Sequence, residues 1–146
     1  MRGELSIVVN RPIEEVWAFI TDPFNIPRWG GGRLAARVTP PGPIRVGSTI
    51  EYRISIFGLE RRFSAVFTEV DPPRVAAGSF VGQGFLSGSV RTTLEATATG
   101  TKIVRSGDLK VRGILRLFSP ILTAYMRRQL DTQMRSLKRL LEAGSA

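Results

Sequence analysis

The feature that most constrains the fold is an apolar stripe near the end of the chain, which only a long helix can present on one face. The stripe consists of Leu122, Met126, Leu130, Met134, Leu137 and Leu141. The spacing of these residues is that of one side of an α-helix, and charged residues occupy the opposite side. Ser119-Pro120 is typical of an N-cap followed by proline at the first helical position. We therefore predict an amphipathic helix of about six turns from Ser119 to near Gly144.

A shorter helix is predicted near the start of the chain, directly after a short apolar strand. Its apolar face comprises Ile13, Val16, Trp17 and Ile20. Pro12 suits the first helical turn, because its missing N–H costs nothing there. Asp22-Pro23 ends the helix, because proline pushes the preceding residue out of the α region. Residues 24–28 are expected to add one short helical turn.

Between the two helices the pattern changes to that of β-strands. From Ser48 to Phe57 apolar and polar residues alternate, with Ile50, Tyr52 and Ile54 on one face, which is typical of a half-buried antiparallel strand. Six strands are predicted in this region, over residues 33–39, 48–57, 61–70, 75–81, 85–98 and 101–111. Short turns separate several of them, so we expect hairpins in an antiparallel meander.

The order of these elements predicts an α+β protein. A curved antiparallel sheet of about seven strands should wrap around the long C-terminal helix, since a sheet of this length can bury one long helix only by curling around it. One or two short helices follow the first strand. No linker or repeat divides residues 1–146, so a single domain is expected. The sheet and the helix should enclose a space for side chains or a ligand.

Two residue types are missing from the chain, and their absence narrows the possible chemistry. The sequence contains no cysteine and no histidine. Disulfides, thiolate metal sites and catalytic triads of the Ser/His/Asp or Cys/His type are therefore excluded. We predict no metal site and no cofactor. No apolar run is long enough to span a bilayer and the start lacks a signal peptide, so a cytoplasmic protein is expected.

The chain is strongly basic, with a formal net charge of +9 and arginine far more frequent than lysine. Such a charge attracts nucleic acid, anionic lipid or an acidic partner. The arginines are scattered and no nucleic-acid motif interleaves with them, so we do not expect nucleic-acid binding. Docking to an acidic partner or an anionic membrane through the basic surface stays an alternative function.

Several short motifs, in order along almost the whole chain, carry a family resemblance. They are Pro12-Ile13-Glu14-Glu15-Val16-Trp17 with Asp22-Pro23 and Trp29, Val46-Gly47-Ser48, residues 66–73, residues 100–104 and residues 137–142. With them the sequence resembles the START/Bet v 1-like (SRPBCC) superfamily, specifically its polyketide cyclase/dehydrase and lipid-transport-like branch. The resemblance implies the helix-grip fold of that superfamily.

The resemblance implies a cavity for a hydrophobic small molecule, roofed by the C-terminal helix. Members of the superfamily bind lipids, sterols, polyketides, plant hormones or quinones, and a minority catalyse cyclisation or dehydration. The superfamily has no universal catalytic residue, so none is assigned here. The favoured function is binding of a lipid, isoprenoid or polyketide-like molecule, and a cyclase or dehydratase enzyme is the alternative.

The candidate ligand-binding residues are Trp29, Tyr52, Ile54, Phe63, Phe67, Phe80, Arg105, Leu122, Tyr125 and Met126. Trp29 precedes three glycines, so it either caps the mouth of a pocket or packs under the helix. Arg105 shares strand parity with Ile103 and Leu109 and is predicted to point inward. A buried arginine needs a carboxylate partner or an anionic group of the ligand.

Catalysis of the alternative kind would need an acid or base inside the cavity. The candidates are Asp22, Glu51, Glu69, Glu95, Asp108, Tyr52 and Tyr125.

Residues 114–118 and Ile121 make the start of the long helix apolar over much of its circumference. Either Leu117 and Phe118 fold back over it, or they form a portal or a dimer surface.

Overall fold

The structure, a computed structural model, describes residues 2–22, 24–29, 33–56, 59–82, 86–111 and 113–143. The strands are β1 (Arg2–Val9), β2 (Arg33–Thr39), β3 (Thr49–Ile56), β4 (Leu59–Asp71), β5 (Val75–Gly82), β6 (Leu86–Ala96) and β7 (Thr101–Val111). The helices are α1 (Ile13–Thr21), α2 (Ile26–Trp29) and α3 (Ser119–Ala143), and a 3-10 helix (Gly113–Phe118) precedes α3. The predicted element ends Phe57, Phe85 and Gly144 lie outside the described residues.

The seven strands form one antiparallel sheet in the order β1-β7-β6-β5-β4-β3-β2. Each pair from β2 to β7 is adjacent in sequence, as the predicted meander requires, and β1 closes the far edge against β7. The predicted helix-grip fold is therefore confirmed, with two short helices after the first strand. Strands β2 and β7 have the predicted bounds, and β4 is longer by two residues at its start and one at its end.

Helix α1 follows the local signals at both ends. Pro12 is its N-cap, with φ −61° and ψ 149°, and its carbonyl oxygen accepts from the Val16 amide at 3.0 Å. Asp22 is the C-cap, and its carboxylate accepts from the Phe24 amide at 3.0 Å. Val16 and Ile20 are buried, as the periodicity predicts. The candidate acid Asp22 is thus an exposed residue that ends a helix.

Helix α3 lies along β1 and runs in the same direction. A Cβ atom on Gly3, near the start of β1, would lie 3.2 Å from Leu130 Cδ1, so a larger residue here would require the Leu130 side chain to shift. Near the end of β1, Lys138 Nζ donates to the Val8 carbonyl at 3.1 Å. The predicted stripe is the packed face: Leu130, Met134, Leu137 and Leu141 are buried in the core.

The C-terminal end of α3 is held by the junction between β1 and α1. Arg11 Nε donates to the Leu141 carbonyl at 3.0 Å, and Arg11 Nη2 donates to the Glu142 carbonyl at 2.8 Å. The Asn10 amide donates to Glu142 Oε2 at 3.1 Å. The carbonyls of a last helical turn have no intrahelical partner, so a cation placed here both satisfies them and complements the helix dipole. We call these four residues the clasp.

The 3-10 helix before α3 was not predicted from the sequence. It leaves Leu117, Phe118 and Ile121 exposed. The interpretation in which Leu117 and Phe118 fold back over the helix is therefore wrong for these two side chains. Among the described residues, no helix has the length and apolarity to cross a membrane.

Candidate ligand-binding cavity

A cavity of about 110 Å³ lies between the concave face of the sheet and the helices α1 and α2. Strand pairing explains its wall, because residues opposite one another in the register share a face. Val38 pairs with Ile50 across β2 and β3, and Ile50 with Ala65 across β3 and β4. Ala65 pairs with Phe80 across β4 and β5. All four line the cavity, so its wall follows one row of inward-facing side chains.

Small residues on β4 and β5 create the empty space. Ala65 and Ala76 lie in the lining, where larger side chains would fill the volume, and Gly78 in the lining has no side chain. Sequence reasoning missed these residues, because alanine and glycine in a strand carry no polar or aromatic signal. A run of three small residues on a strand opposite bulky apolar neighbours is the signal that could have found them.

Arg105 on β7 is the charged group in the cavity wall. Its side chain points inward as predicted, and the residue is only 8% exposed. Arg105 Nη1 donates to Thr92 Oγ1 at 2.7 Å, and Arg105 Nε donates to Gln133 Oε1 at 3.2 Å. Thr92 is its register partner on β6, while Gln133 reaches it from α3. The hydrogen bonds fix the guanidinium in one position at the cavity surface.

Both of these acceptors are uncharged oxygens, one of a hydroxyl and one of an amide. A buried guanidinium attracts an anion or a strong acceptor, because desolvation makes an electrostatic partner more valuable. The arrangement therefore provides a fixed positive group next to an apolar space.

Trp29 lies on α2 and is buried in the core, where it also lines the cavity. The Arg105 guanidinium carbon lies 5.0 Å from the centroid of its ring, within the range of a cation–π contact. The sequence left two interpretations of Trp29, capping of a pocket mouth and packing under the helix. Its buried position in the core agrees with packing, and its ring also forms part of the cavity wall. Helix α2 contacts both β2 and α3.

None of the described α3 residues lines this cavity, which differs from a space roofed directly by the C-terminal helix. The reason is that α2, with Trp29, borders both β2 and α3 and covers this part of the sheet. Helix α3 influences the cavity through Gln133 and its hydrogen bond to Arg105.

An aromatic cluster borders the cavity on the side away from α1. The Phe63 ring is stacked with Tyr52, the centroids 5.8 Å apart, and is tilted against Phe80 at 5.9 Å. Tyr52 and Phe80 line the cavity, whereas Phe63 is buried behind them. Phe63 precedes Ala65 on β4, so it lies nearer to the start of that strand. The cluster therefore lies between the cavity and the start of β4.

The structure brings five predicted ligand-binding residues together in the lining, namely Trp29, Tyr52, Phe67, Phe80 and Arg105. Phe63 contacts two of them without lining the cavity. Leu122, Tyr125 and Met126 are half-buried in the first two turns of α3 and do not reach it. The backbone of Ile54 is described, but its side chain lies outside the described part of the structure. A role in ligand binding stays a prediction for all ten.

The acidic residues lie elsewhere. All twelve are within the described residues, and none of them lines the cavity or is buried. Glu69, for example, pairs with Arg91 on the outer face of the sheet. Within the described part of the chain, no three acidic residues are close enough to hold a metal ion.

Solved structures share this architecture. The protein TTHA0849 of Thermus thermophilus has 12% sequence identity and a TM-score of 0.81, with 100% of each chain covered. The protein NE0264 of Nitrosomonas europaea has 17% identity and a TM-score of 0.77, covering 99% of this chain and 96% of that one. Ara h 8.0201 has 14% identity and a TM-score of 0.73, with 98% of both chains covered. At these identities the likeness shows the fold alone.

The sequence itself gives a more specific relationship. Among curated proteins none matches the chain significantly. A family model described as "Polyketide cyclase / dehydrase and lipid transport" matches residues 2–142. This match covers nearly every element that builds the sheet, the helices and the cavity. The chain therefore belongs to the polyketide cyclase/dehydrase and lipid transport family.

Proposed function

We propose that the cavity binds a small hydrophobic molecule that directs an oxygen acceptor or an anionic group toward Arg105. The observation that carries the proposal is the apolar cavity whose wall contains one hydrogen-bonded, buried guanidinium. Ligand sites typically combine apolar walls with a few fixed polar groups that orient the ligand. The family description, with its reference to lipid transport, and the Bet v 1-like fold support a role in binding a hydrophobic ligand.

The size of the cavity restricts what it takes in this conformation. An engineered cavity of about 150 Å³ binds benzene, so the space of about 110 Å³ seen here suits one ring or a short alkyl segment. Pockets for whole drug-sized ligands measure about 300–1,000 Å³. An isoprenoid or polyketide would therefore insert one end, unless the cluster of Tyr52, Phe63 and Phe80 moves aside.

Thermal unfolding of delipidated protein with a small set of probes tests this proposal. Toluene, phenol and benzoate share one ring and differ in the oxygen group, and octanoate and palmitate extend the series to alkyl chains. A ligand at about one hundred times its Kd adds about 2.7 kcal/mol to the unfolding free energy, which raises Tm by several degrees. We expect the oxygen-bearing probes to stabilise more than toluene. The proposal fails if no probe raises Tm and native mass spectrometry finds no copurified ligand.

Two matched pairs of variants locate the site. Ala65→Leu fills the cavity and should abolish the Tm shift, whereas Val66→Leu, on the opposite and exposed face of the same strand, should leave it unchanged. Arg105→Met should remove the preference for benzoate over toluene. Arg91→Met, which breaks an exposed ion pair on β6, should keep that preference. Binding that is insensitive to both cavity variants would place the ligand elsewhere.

The cyclase or dehydratase alternative receives less support from the site. This alternative requires a carboxylate inside the cavity, and the residues that line the cavity include none. Tyr52 is the candidate acid or base that does line the cavity. No further observation favours a reaction there, so ligand binding is the function that we propose.

A further inference from the structure

Three neighbouring apolar side chains at the start of α3 are exposed. Leu117 is 78% exposed, Phe118 49% and Ile121 57%. Ile121 follows Leu117 by four residues and Phe118 by three across the join of the 3-10 helix and α3, a spacing that places side chains on one side of a helix. We call these three residues the apolar tip. A single exposed leucine needs no explanation, but a contiguous group that includes phenylalanine marks an interaction site.

The apolar tip lies at the end of the sheet opposite α1, which we call the distal end. The meander places the starts of β1, β4 and β6 and the ends of β3, β5 and β7 there. Leu59 at the start of β4 and Val81 near the end of β5 are also more than half exposed at this end. Of the nine large apolar residues that are exposed among the described residues, five are therefore at the distal end.

Positive charge is concentrated at the same end. The described segments that meet there, 2–5, 33–35, 53–56, 59–64, 80–82, 86–88, 107–111 and 113–128, contain nine basic and three acidic residues. The other described segments contain eleven basic and nine acidic residues. Most of the net charge of the chain thus belongs to the end that carries the apolar tip.

We propose that the distal end docks on an anionic lipid bilayer, with the apolar tip inserted at the headgroup boundary. Interfacial segments of proteins bury their apolar side about 5–10 Å deep and keep basic residues at the headgroups. Arg127 and Arg128 follow Ile121 by six and seven residues, which places them about 9–11 Å further back along the helix. With the N-terminus of α3 toward the bilayer, these arginines reach the level of the lipid phosphates.

A bilayer fits this end better than the other polyanions do. Nucleic acid offers negative charge but no apolar layer beyond it for leucine and isoleucine side chains. A bilayer has an anionic headgroup layer with an apolar layer behind it. The apolar tip and the basic residues behind it match these two layers in position. Docking needs no occupant in the cavity, so this proposal goes beyond the proposed function and the two can fail separately.

Sedimentation with vesicles tests the docking surface. Wild-type protein should bind vesicles of phosphatidylcholine mixed with phosphatidylglycerol at low salt, and should bind pure phosphatidylcholine vesicles much more weakly. The double variant Leu117→Ser/Phe118→Ser should weaken binding to the mixed vesicles by at least about tenfold. Phe24→Ser is the matched control, because Phe24 is also 78% exposed but follows α1 at the other end. Circular dichroism checks that both variants are folded.

Site-specific fluorescence provides an independent measurement, since the chain has no cysteine to label by accident. Phe118→Cys and Phe24→Cys would each carry an environment-sensitive fluorophore. The emission should shift to the blue on anionic vesicles for the label at 118 only. Equal shifts at both positions, or no binding of the wild type, would overturn the proposal. Binding to duplex DNA as strong as to vesicles, with both unaffected by the double variant, would also overturn it.

Discussion

The two ends of α3 are built for different purposes. At its C-terminal end Leu137 and Leu141 are buried, and the clasp bonds the last carbonyls to Arg11. At its N-terminal end Leu122 and Met126 are half-buried, and the apolar tip before them is exposed. Apolar residues are present at both ends, so composition alone does not separate them. The difference teaches that one amphipathic helix can be an anchor in the core at one end and a binding surface at the other.

The most direct test of this difference is to truncate one leucine at each end of α3. Leu137→Ala should lower the unfolding free energy by about 2–5 kcal/mol, because the residue is only 1% exposed and its loss leaves a cavity. Leu117→Ala should change it by no more than about 0.5 kcal/mol. Urea unfolding of both variants measures the difference. Equal losses would show that the apolar tip is packed in solution.

The clasp is the next target. Arg11→Met keeps most of the apolar side chain but removes both hydrogen bonds to the α3 carbonyls, so we expect a loss of about 2 kcal/mol. Arg135→Met breaks the exposed ion pair with Asp131 on the same helix and should cost less than about 0.5 kcal/mol. Urea midpoints of the two variants that coincide would contradict a special role for the clasp.

A substitution at Gly3 tests where along α3 the tight packing against β1 begins. The missing side chain of Gly3 admits Leu130 and Met126, whose terminal atoms would lie 3.2 and 3.3 Å from a Cβ. Gly3→Val should overpack this contact and cost about 1–2 kcal/mol. Ser6→Val, on the exposed face of the same strand, is the control and should be nearly neutral. Thermal unfolding of the two variants compares them, and a neutral Gly3→Val would mean that the helix can shift outward freely.

The smallest effect is expected for the ion pairs of the distal end. Arg53 Nη1 lies 2.9 Å from Glu60 Oε1, but both side chains are about half exposed. A double-mutant cycle with Arg53→Met and Glu60→Gln should give a coupling energy below about 0.5 kcal/mol. A larger value, measured by urea unfolding, would indicate that the distal end contributes to stability as the clasp does.

Sequence periodicity predicted the architecture because the fold depends on which residues face the core. The stripe of α3 and the parity of Arg105 on β7 follow directly from apolar spacing. Turn residues also carried information, because the bounds of β2 follow from the three glycines before it and Pro40 after it. These features are local, so one sequence is sufficient to identify them.

The contents of the site were harder to predict, because they depend on residues far apart in sequence. Parity turned Arg105 inward but could not show that Gln133 of α3 would meet it. The alanines that leave space for a ligand look neutral in a strand pattern. The 3-10 helix before α3 was missed because its residues are apolar without a clear period. Each of these features depends on the tertiary arrangement, so local sequence patterns do not predict it.

The clasp has a consequence for the way the protein is made. Arg11 and Leu141 are 130 residues apart, so their hydrogen bond must await the synthesis of everything between them. At roughly 5–20 residues per second, a ribosome takes about ten seconds to cover that distance. During this interval the strands emerge while α3 is still being made. Until α3 is complete, the inner face of β1 therefore lacks the helix that packs on it in the folded protein.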